Sequence, residues 1–403
     1  MKDKLKSPMF DVRKFEITDV EDYLLDISNI QCASTGFIDS WETNIFFSEA
    51  CQMIVNAIAL FQDGYFDAAF YSLRQSIELS IGTIFLNANP KKLKDWNNLE
   101  RGFEVGNMTR TLAESEPNFK EIKEKLKNYF DNLLKLRHKI DKYVHKQGYR
   151  SFYYELQHSF GDNLKNKKKA IQNDFEDFLK TCIGAIAIYR LVIDPTPLVL
   201  SDEDLLFRSG DLITSPYTDR FINKYIDPEI VQLLKTTQFY QDIASWLKSN
   251  EKQTEATFLL IHYQIFDRTN SEDVLNQIYL CSFHDRVAVG TFMCSNKISQ
   301  IFLEGLFWYS SNVKSNRTDG VTMGESYYSD IFEKSTSDVN FSYENVYLSR
   351  FRMLTKYHYI EHNEILNTDE INTIKLLYDQ FELSFKEQES KLLKLYEELK
   401  GQK

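Results

Sequence analysis

Between Asp39 and Ile193 the sequence runs in long stretches of helical apolar spacing, and the points where that spacing breaks decide most of what the chain can become. The first stretch opens at Asp39-Ser40-Trp41-Glu42 and carries Ile45, Phe46, Met53, Ile54, Ala57, Ile58 and Phe61, the three- and four-residue recurrence of one helix face. Gly64 stops it. A second stretch follows at once, from Tyr65 to about Leu86, with Ala69, Leu73, Ile77, Ile81 and Ile84 on one face and Asn89-Pro90 as its stop. Two long helices that meet at a glycine predict an antiparallel hairpin. The spacing predicts a third helix over roughly Phe119 to His145, closed by Gly148, and a fourth from about Asn163 to Ile193. Four amphipathic helices with modest connections are the pattern of a helical bundle.

The rest of the chain gives a looser expectation. With 7 Pro and 14 Gly in 403 residues, the punctuation needed for many short strands is missing, so a mainly α fold is expected throughout. Asp194-Pro195-Thr196-Pro197 breaks the periodicity and marks a domain boundary. The expected organisation is an N-terminal extension over 1–38, the bundle over 39–194, a linker over 195–216 and a mostly helical domain over 217–403. Within that domain, helical patterns lie near Glu229 to Leu247, Thr254 to Phe266 and Val274 to Phe283. A β-prone piece falls at Val287 to Met293 and a loop from Ser310 to Gly324. His358 and His362, four residues apart, read as a helical pair.

The final helix, 367–400, is the clearest periodic element. Asn367 and Glu370 make a capping box, after which Ile371, Ile374, Tyr378, Phe381, Phe385, Gln388, Leu392, Leu395 and Leu399 alternate in steps of three and four. Such a seam packs along a partner helix. Residues 371–399 are therefore expected to meet a helix of this chain, a second copy in a homodimer, or a helical protein partner.

Charge and cysteine usage narrow the functional classes. A net charge of −11 excludes a protein that coats nucleic acid with its whole surface. One island departs from the average: between Lys135 and Ala170, ten basic residues face three acids, Asp141, Glu155 and Asp162. Cys32, Cys51, Cys182, Cys281 and Cys294 form no CxxC pair and are expected as reduced thiols. The N-terminus lacks the apolar block of a signal peptide, and the stretch Cys182 to Ile193 falls short of the roughly 20 residues of a membrane helix. A cytoplasmic protein without a membrane span is expected. Asp141 with His145 lacks a third metal ligand, His358 with His362 lacks the glutamate of an HExxH site, Tyr359 standing in its place, and no phosphate loop or nucleophile elbow occurs. Neither a metal nor a cofactor is expected.

Gly64-Tyr65-Phe66-Asp67-Ala68-Ala69 leading into Leu73-Arg74-Gln75-Ser76-Ile77-Glu78-Leu79, together with Leu136-Arg137-His138-Lys139-Ile140-Asp141-Lys142-Tyr143-Val144-His145, resembles two helices of the HEPN superfamily. The resemblance covers residues 41–193 at most. It implies a HEPN-like four-helix bundle and, for the ribonucleases of that superfamily, metal-independent RNA cleavage by dimers that bring two Arg-x(4–6)-His motifs together. Here Arg137 to His145 is Arg-x(7)-His, one residue longer. Attack of a ribose 2′-OH on its own phosphate needs a proton acceptor near neutral pH, which suits His, and a permanent cation over the phosphate, which suits Arg. On a helix Arg137, Asp141 and His145 fall within about 80° of one another. The expected catalytic set is accordingly Arg137 and His145, with Asp141 orienting the imidazole. Lys142, Lys146, Arg150, Lys165, Lys167, Lys168 and Lys169 are expected to guide RNA, and Arg74 with Glu78 to form a structural ion pair. The implied function is an endoribonuclease effector of a toxin–antitoxin or antiviral defence module. The competing expectation is a non-catalytic helical interaction or regulatory subunit of a defence complex.

Overall fold

The computed structural model describes residues 14–98, 105–210, 212, 214–318 and 324–401. The chain divides into two compact units, the first ending at Glu251 and the second beginning at Lys252.

Among its described residues the first unit is all helical. Its longer helices are α1 (Val20–Cys32), α2 (Thr43–Gln62), α3 (Phe66–Asn87), α4 (Lys127–Val144) and α5 (Gly161–Ile193). The hairpin between α2 and α3 forms as the spacing predicts. Gly64 takes a positive φ of 87°, its N–H reaches the Phe61 carbonyl at 3.0 Å, and the Tyr65 N–H reaches Leu60 at 2.8 Å. This paired closure of the last carbonyls suits glycine, which has no Cβ to clash. α5 and α4 then pack on α3. The interior is rich in aromatic rings: Phe61 and Phe175 stack at 3.8 Å between centroids, and Phe70 stacks on Tyr143 at 4.4 Å. α2 is long and apolar enough to cross a membrane by length and composition. In this fold Phe47, Ala50, Cys51, Ile54, Ala57, Ile58 and Phe61 on it are buried within the core of the unit.

Three expectations for this region are corrected. The predicted third helix is two, Pro117–Lys125 and α4, broken at Leu126. The supposed extension contributes α1 and two buried anchors, Phe15 and Ile17, with the Phe15 ring stacked on Phe61 at 4.5 Å. Residues 195–216 are not a linker: Pro195 leads into a one-turn helix, Thr196–Val199, buried along its whole length. Buried Tyr217 donates to the Ala187 carbonyl of α5 at 3.2 Å. The prolines interrupt helical periodicity without interrupting the core, which continues through the helices Asp219–Tyr225, Pro228–Lys235 and Gln238–Lys248.

One close approach fixes how that continuation sits on α5. A Cβ built on Gly184 would lie 2.4 Å from the Tyr225 carbonyl oxygen, a backbone atom that cannot swing aside. Overpacking of this kind costs about 1–3 kcal/mol or more, against a helix-propensity gain of up to about 1 kcal/mol. Gly184→Ala is expected to lower the unfolding midpoint of the chain. Gly82→Ala in α3, with nothing within 4 Å of its new methyl, is expected to raise it; thermal melts of the two variants check the pair.

The chain is mainly helical, but the second unit is α+β: it adds a largely antiparallel sheet that the expectation of a mostly helical domain lacked. Six strands, β1 (Ile265–Phe266), β2 (Ile298–Leu303), β3 (Phe307–Ser311), β4 (Phe341–Tyr343), β5 (Val346–Met353) and β6 (Lys356–His362), form one sheet in the order β1-β3-β2-β6-β5-β4. Only β1 and β3 pair in parallel. Helices α6 (Phe283–Cys294) and α8 (Thr368–Gly401) cover one face over Ile301, Leu303, Phe351, Met353 and Ile360. Helix α7 (Glu325–Glu333) covers the other over Phe302, Leu348 and Tyr359. The β-prone piece at Val287 to Met293 is thus helical. Ser282 and Asp285 form a capping box that starts α6, and packing on the sheet overrides the residues' strand preference. The capping box at Asn367 and Glu370 forms as expected, with N–H to carboxylate and N–H to amide oxygen distances of 2.7 and 2.9 Å.

His358 and His362 lie on β6, not on a helix, and both are fully buried. His362 is bonded to the Glu364 carbonyl at 2.7 Å and to the Ser349 hydroxyl at 2.8 Å. Neither ring nitrogen of His358 has a hydrogen bond of normal geometry.

Candidate functional site

Helix α3 supplies Arg74 and Glu78 one turn apart, and their side chains pair at 2.9 Å. The rotation of α4 beside it is fixed from the core side, where Ile140 and Tyr143 are buried and the Tyr143 hydroxyl donates to Asp174 at 2.8 Å. That rotation turns Arg137, Asp141 and the following His145 toward α3. Arg74 then bridges the two helices: its Nη1 lies 3.1 Å from Asp141 Oδ1 and 3.2 Å from His145 Nε2. Arg137 Nη2 reaches the same Glu78 oxygen that Arg74 holds, at 2.9 Å.

The result is one hydrogen-bonded cluster of five ionisable side chains, drawn from sequence positions 59 to 71 residues apart, with exposed His138 at its edge, 3.9 Å from Asp141. The two guanidiniums and two carboxylates are each about a fifth exposed, and His145 is exposed to solvent. A guanidinium can only donate, so His145 Nε2 is the acceptor in its contact with Arg74. The charges of Arg74 and Arg137 are balanced by Glu78 and Asp141. What the arrangement offers chemically is a solvent-facing imidazole with a planar, permanently charged donor held beside it by two carboxylates.

The site therefore differs in detail from the one expected. Arg74, read as half of a structural pair, is the arginine beside His145. Arg137 engages Glu78 and has no contact with that imidazole. Asp141 meets Arg74 rather than the His145 ring, to which it is joined only by the helical bond from the His145 N–H to the Asp141 carbonyl, 2.8 Å. The i,i+4 spacing of Arg74 and Glu78 was visible in the sequence; the reach of Arg74 across to α4 depends on how the helices pair.

The lysines expected to guide RNA separate into two groups, because successive residues on a helix point about 100° apart. Lys146 is held by Asp67 at 2.9 Å and the Ser151 carbonyl at 3.0 Å, and lies 4.4 Å from the centre of the Tyr153 ring. Lys167 pairs with Glu155 at 2.7 Å, and Lys168 donates to the Lys14 carbonyl over the Phe15 ring. Lys146 and Lys167 fasten the chain that follows α4, and Lys168 fastens the N-terminal segment at Lys14 and Phe15. Lys142, Lys165 and Lys169 stay exposed, with only a surface contact of 3.7 Å from Lys165 to Asp162 among them. The Arg150 side chain lies outside the described residues.

A cleft of about 150 Å³ lined by Phe46, Gln75, Leu79, Gly82, Leu86, Trp96 and Met108 opens beside Glu78. A wider one of about 540 Å³, between residues 125–136 and 227–233, shares none of the five clustered residues. Among the described residues no group of three or more His, Cys, Asp or Glu side chains is placed to hold a metal ion. Compared with models of known families, with curated proteins and with solved structures, the chain matches none.

Proposed function

We propose that the first unit is a HEPN-like bundle and that the chain is a metal-independent endoribonuclease, an effector of a toxin or phage-defence module. The observation that carries this reading is the 3.2 Å approach of Arg74 Nη1 to His145 Nε2, with Asp141 bound to the same Nη1 and Glu78 holding the guanidinium at Nε. In the reaction the ribose 2′-oxygen attacks the adjacent phosphorus, and the bond from phosphorus to the 5′-oxygen breaks. His145 Nε2 takes the 2′-OH proton as the Arg74 N–H that faces it turns to the phosphate and neutralises the charge gathering there, and water protonates the departing 5′-oxygen. The products are a 2′,3′-cyclic phosphate and a free 5′-OH. Arg137 positions Arg74 through their shared Glu78.

The test is direct. Purified protein is incubated with a mixed RNA pool in EDTA, and the new ends are identified chemically. Fragments ending in 2′,3′-cyclic phosphate are expected; intact RNA, or 5′-phosphate ends, sinks the reading.

A second reading draws on α8. Ile374 and Tyr378 are buried on the sheet, whereas Leu392, Leu393 and Tyr396 farther along are exposed. That apolar stretch supports a helical interaction or regulatory subunit, bound through residues 371–399 to a second copy or to a helical partner. Sedimentation of the whole chain against one ending at Gln388 separates the self-association it implies from a monomer.

A further inference from the structure

The segment just after His145 exposes an unusual set of side chains. Tyr149, Tyr154 and Phe160 are 75%, 65% and 80% exposed, and Phe152 is 37% exposed. The Tyr149 and Phe152 rings meet edge to face at 5.8 Å, and Tyr154 stacks on His158 at 3.9 Å. Leu156, an aliphatic residue in the same segment, is buried. The exposed apolar surface here is therefore aromatic.

These rings rest on a fixed base. Lys146 ties the segment to α3 through Asp67 and to itself through the Ser151 carbonyl, Tyr153 also bonds Asp67, and Lys167 holds both Glu155 and the Ser159 hydroxyl, the latter at 2.9 Å. Exposed cations lie on either side in the chain: Lys142 before the segment, Lys165 and Lys169 after it.

We infer that Tyr149, Phe152, Tyr154 and Phe160 form a stacking platform for single-stranded RNA, with Lys142, Lys165 and Lys169 binding its phosphates; this names the substrate form and rests on the ribonuclease reading. Unpaired bases present flat faces to aromatic rings, whereas a duplex hides those faces in its own stack. Surfaces that meet a partner protein are also rich in aromatic rings but are depleted of lysine. Exposed aromatic rings flanked in the chain by exposed lysines, in an otherwise acidic protein, fit a polyanion with exposed bases. Stacking does not read the 2′-OH, so single-stranded DNA shares the binding chemistry, and only RNA can be cut.

Binding is measured with the full-length His145→Ala chain, which keeps the platform intact, by fluorescence anisotropy on labelled oligonucleotides of about 12 nucleotides, a length such surfaces span. Unstructured RNA and the matching single-stranded DNA are expected to bind within a few-fold of each other and about tenfold or more tighter than the RNA duplex. Adding Tyr149→Ala and Phe160→Ala together is expected to weaken single-strand binding by about tenfold or more while leaving the circular dichroism spectrum unchanged, since both side chains are exposed. Tyr149→Phe, which keeps the ring, is expected to bind like its parent. Equal affinity for duplex and single strand, or full affinity in the double alanine variant, overturns the platform; the latter result would leave the aromatic surface to a protein partner. Single-strand binding lost with the rings in a chain whose parent never cuts RNA would retain the platform and reject the nuclease. Cleavage that ignores the rings would do the reverse.

Discussion

A His145→Ala chain is expected to lose RNA cleavage by about 10²–10⁴-fold, the range for removing a general acid or base. Arg74→Lys is expected to lose about 10²-fold or more, in the range for an electrostatic stabiliser, while Arg137→Lys keeps most of the activity. The contrast follows from geometry. Arg74 uses Nε for Glu78 and Nη1 for both Asp141 and His145, a planar fork that one lysine ammonium cannot reproduce. Arg137 makes a single contact to Glu78, which a lysine can approximate. Stability separates chemistry from damage: lysine keeps a positive charge beside Glu78 in both arginine variants, and His145 is exposed. Melting midpoints of all three variants should stay close to the parent. Equal losses for Arg74→Lys and Arg137→Lys, measured as initial rates on one RNA, would mean that Arg74 has no special part in the reaction.

That contrast could not have been drawn from the sequence, and the reason is physical. Periodicity and capping are local, so the α2–α3 hairpin at Gly64, the long α5 and the capped start of α8 could all be read from neighbouring residues. The partner of Arg74 lies 71 residues away, and a sequence pattern gives the faces of two helices without their relative rotation. The sheet of the second unit was hidden for a different reason. β6 is buried on both faces, from His358 to His362, so it lacks the polar alternation that marks a half-exposed strand. Its two histidines, four apart, share a face in a strand as well as in a helix. Val287, Val289, Thr291 and Phe292 favour strands by intrinsic preference, yet the Ser282–Asp285 box and the packing surface make them helical. The prolines at 195 and 197 misled because a helix break is not a domain break.

The same two histidines give the second unit an acid limit. Burial pushes His358 down to about 4, over opposing influences from Glu304 and the Met353 backbone. Burial likewise pushes His362 down to about 4, partly offset by the Glu364 carbonyl and Glu370. In the unfolded chain both return to an ordinary value of 6.5. The unfolded state therefore binds more protons between pH 6.5 and 4, and stability is full above that window and falls as pH drops through it. Each histidine can remove at most about 3 kcal/mol over the window, a large share of a domain's stability. His358 is the cleaner probe, since neither ring nitrogen makes a good hydrogen bond and its ring packs at 5.5 Å from Tyr378. His358→Leu, close in volume and unable to take a proton, is expected to match the parent roughly at pH 7. It should outlast the parent increasingly as pH falls, by up to about 3 kcal/mol at pH 4. Carboxylates protonate in the same range but do so alike in both chains, so the difference between their urea midpoints isolates the histidine. A difference that stays flat from pH 7 to 4 would show that His358 is protonated in the fold at no cost.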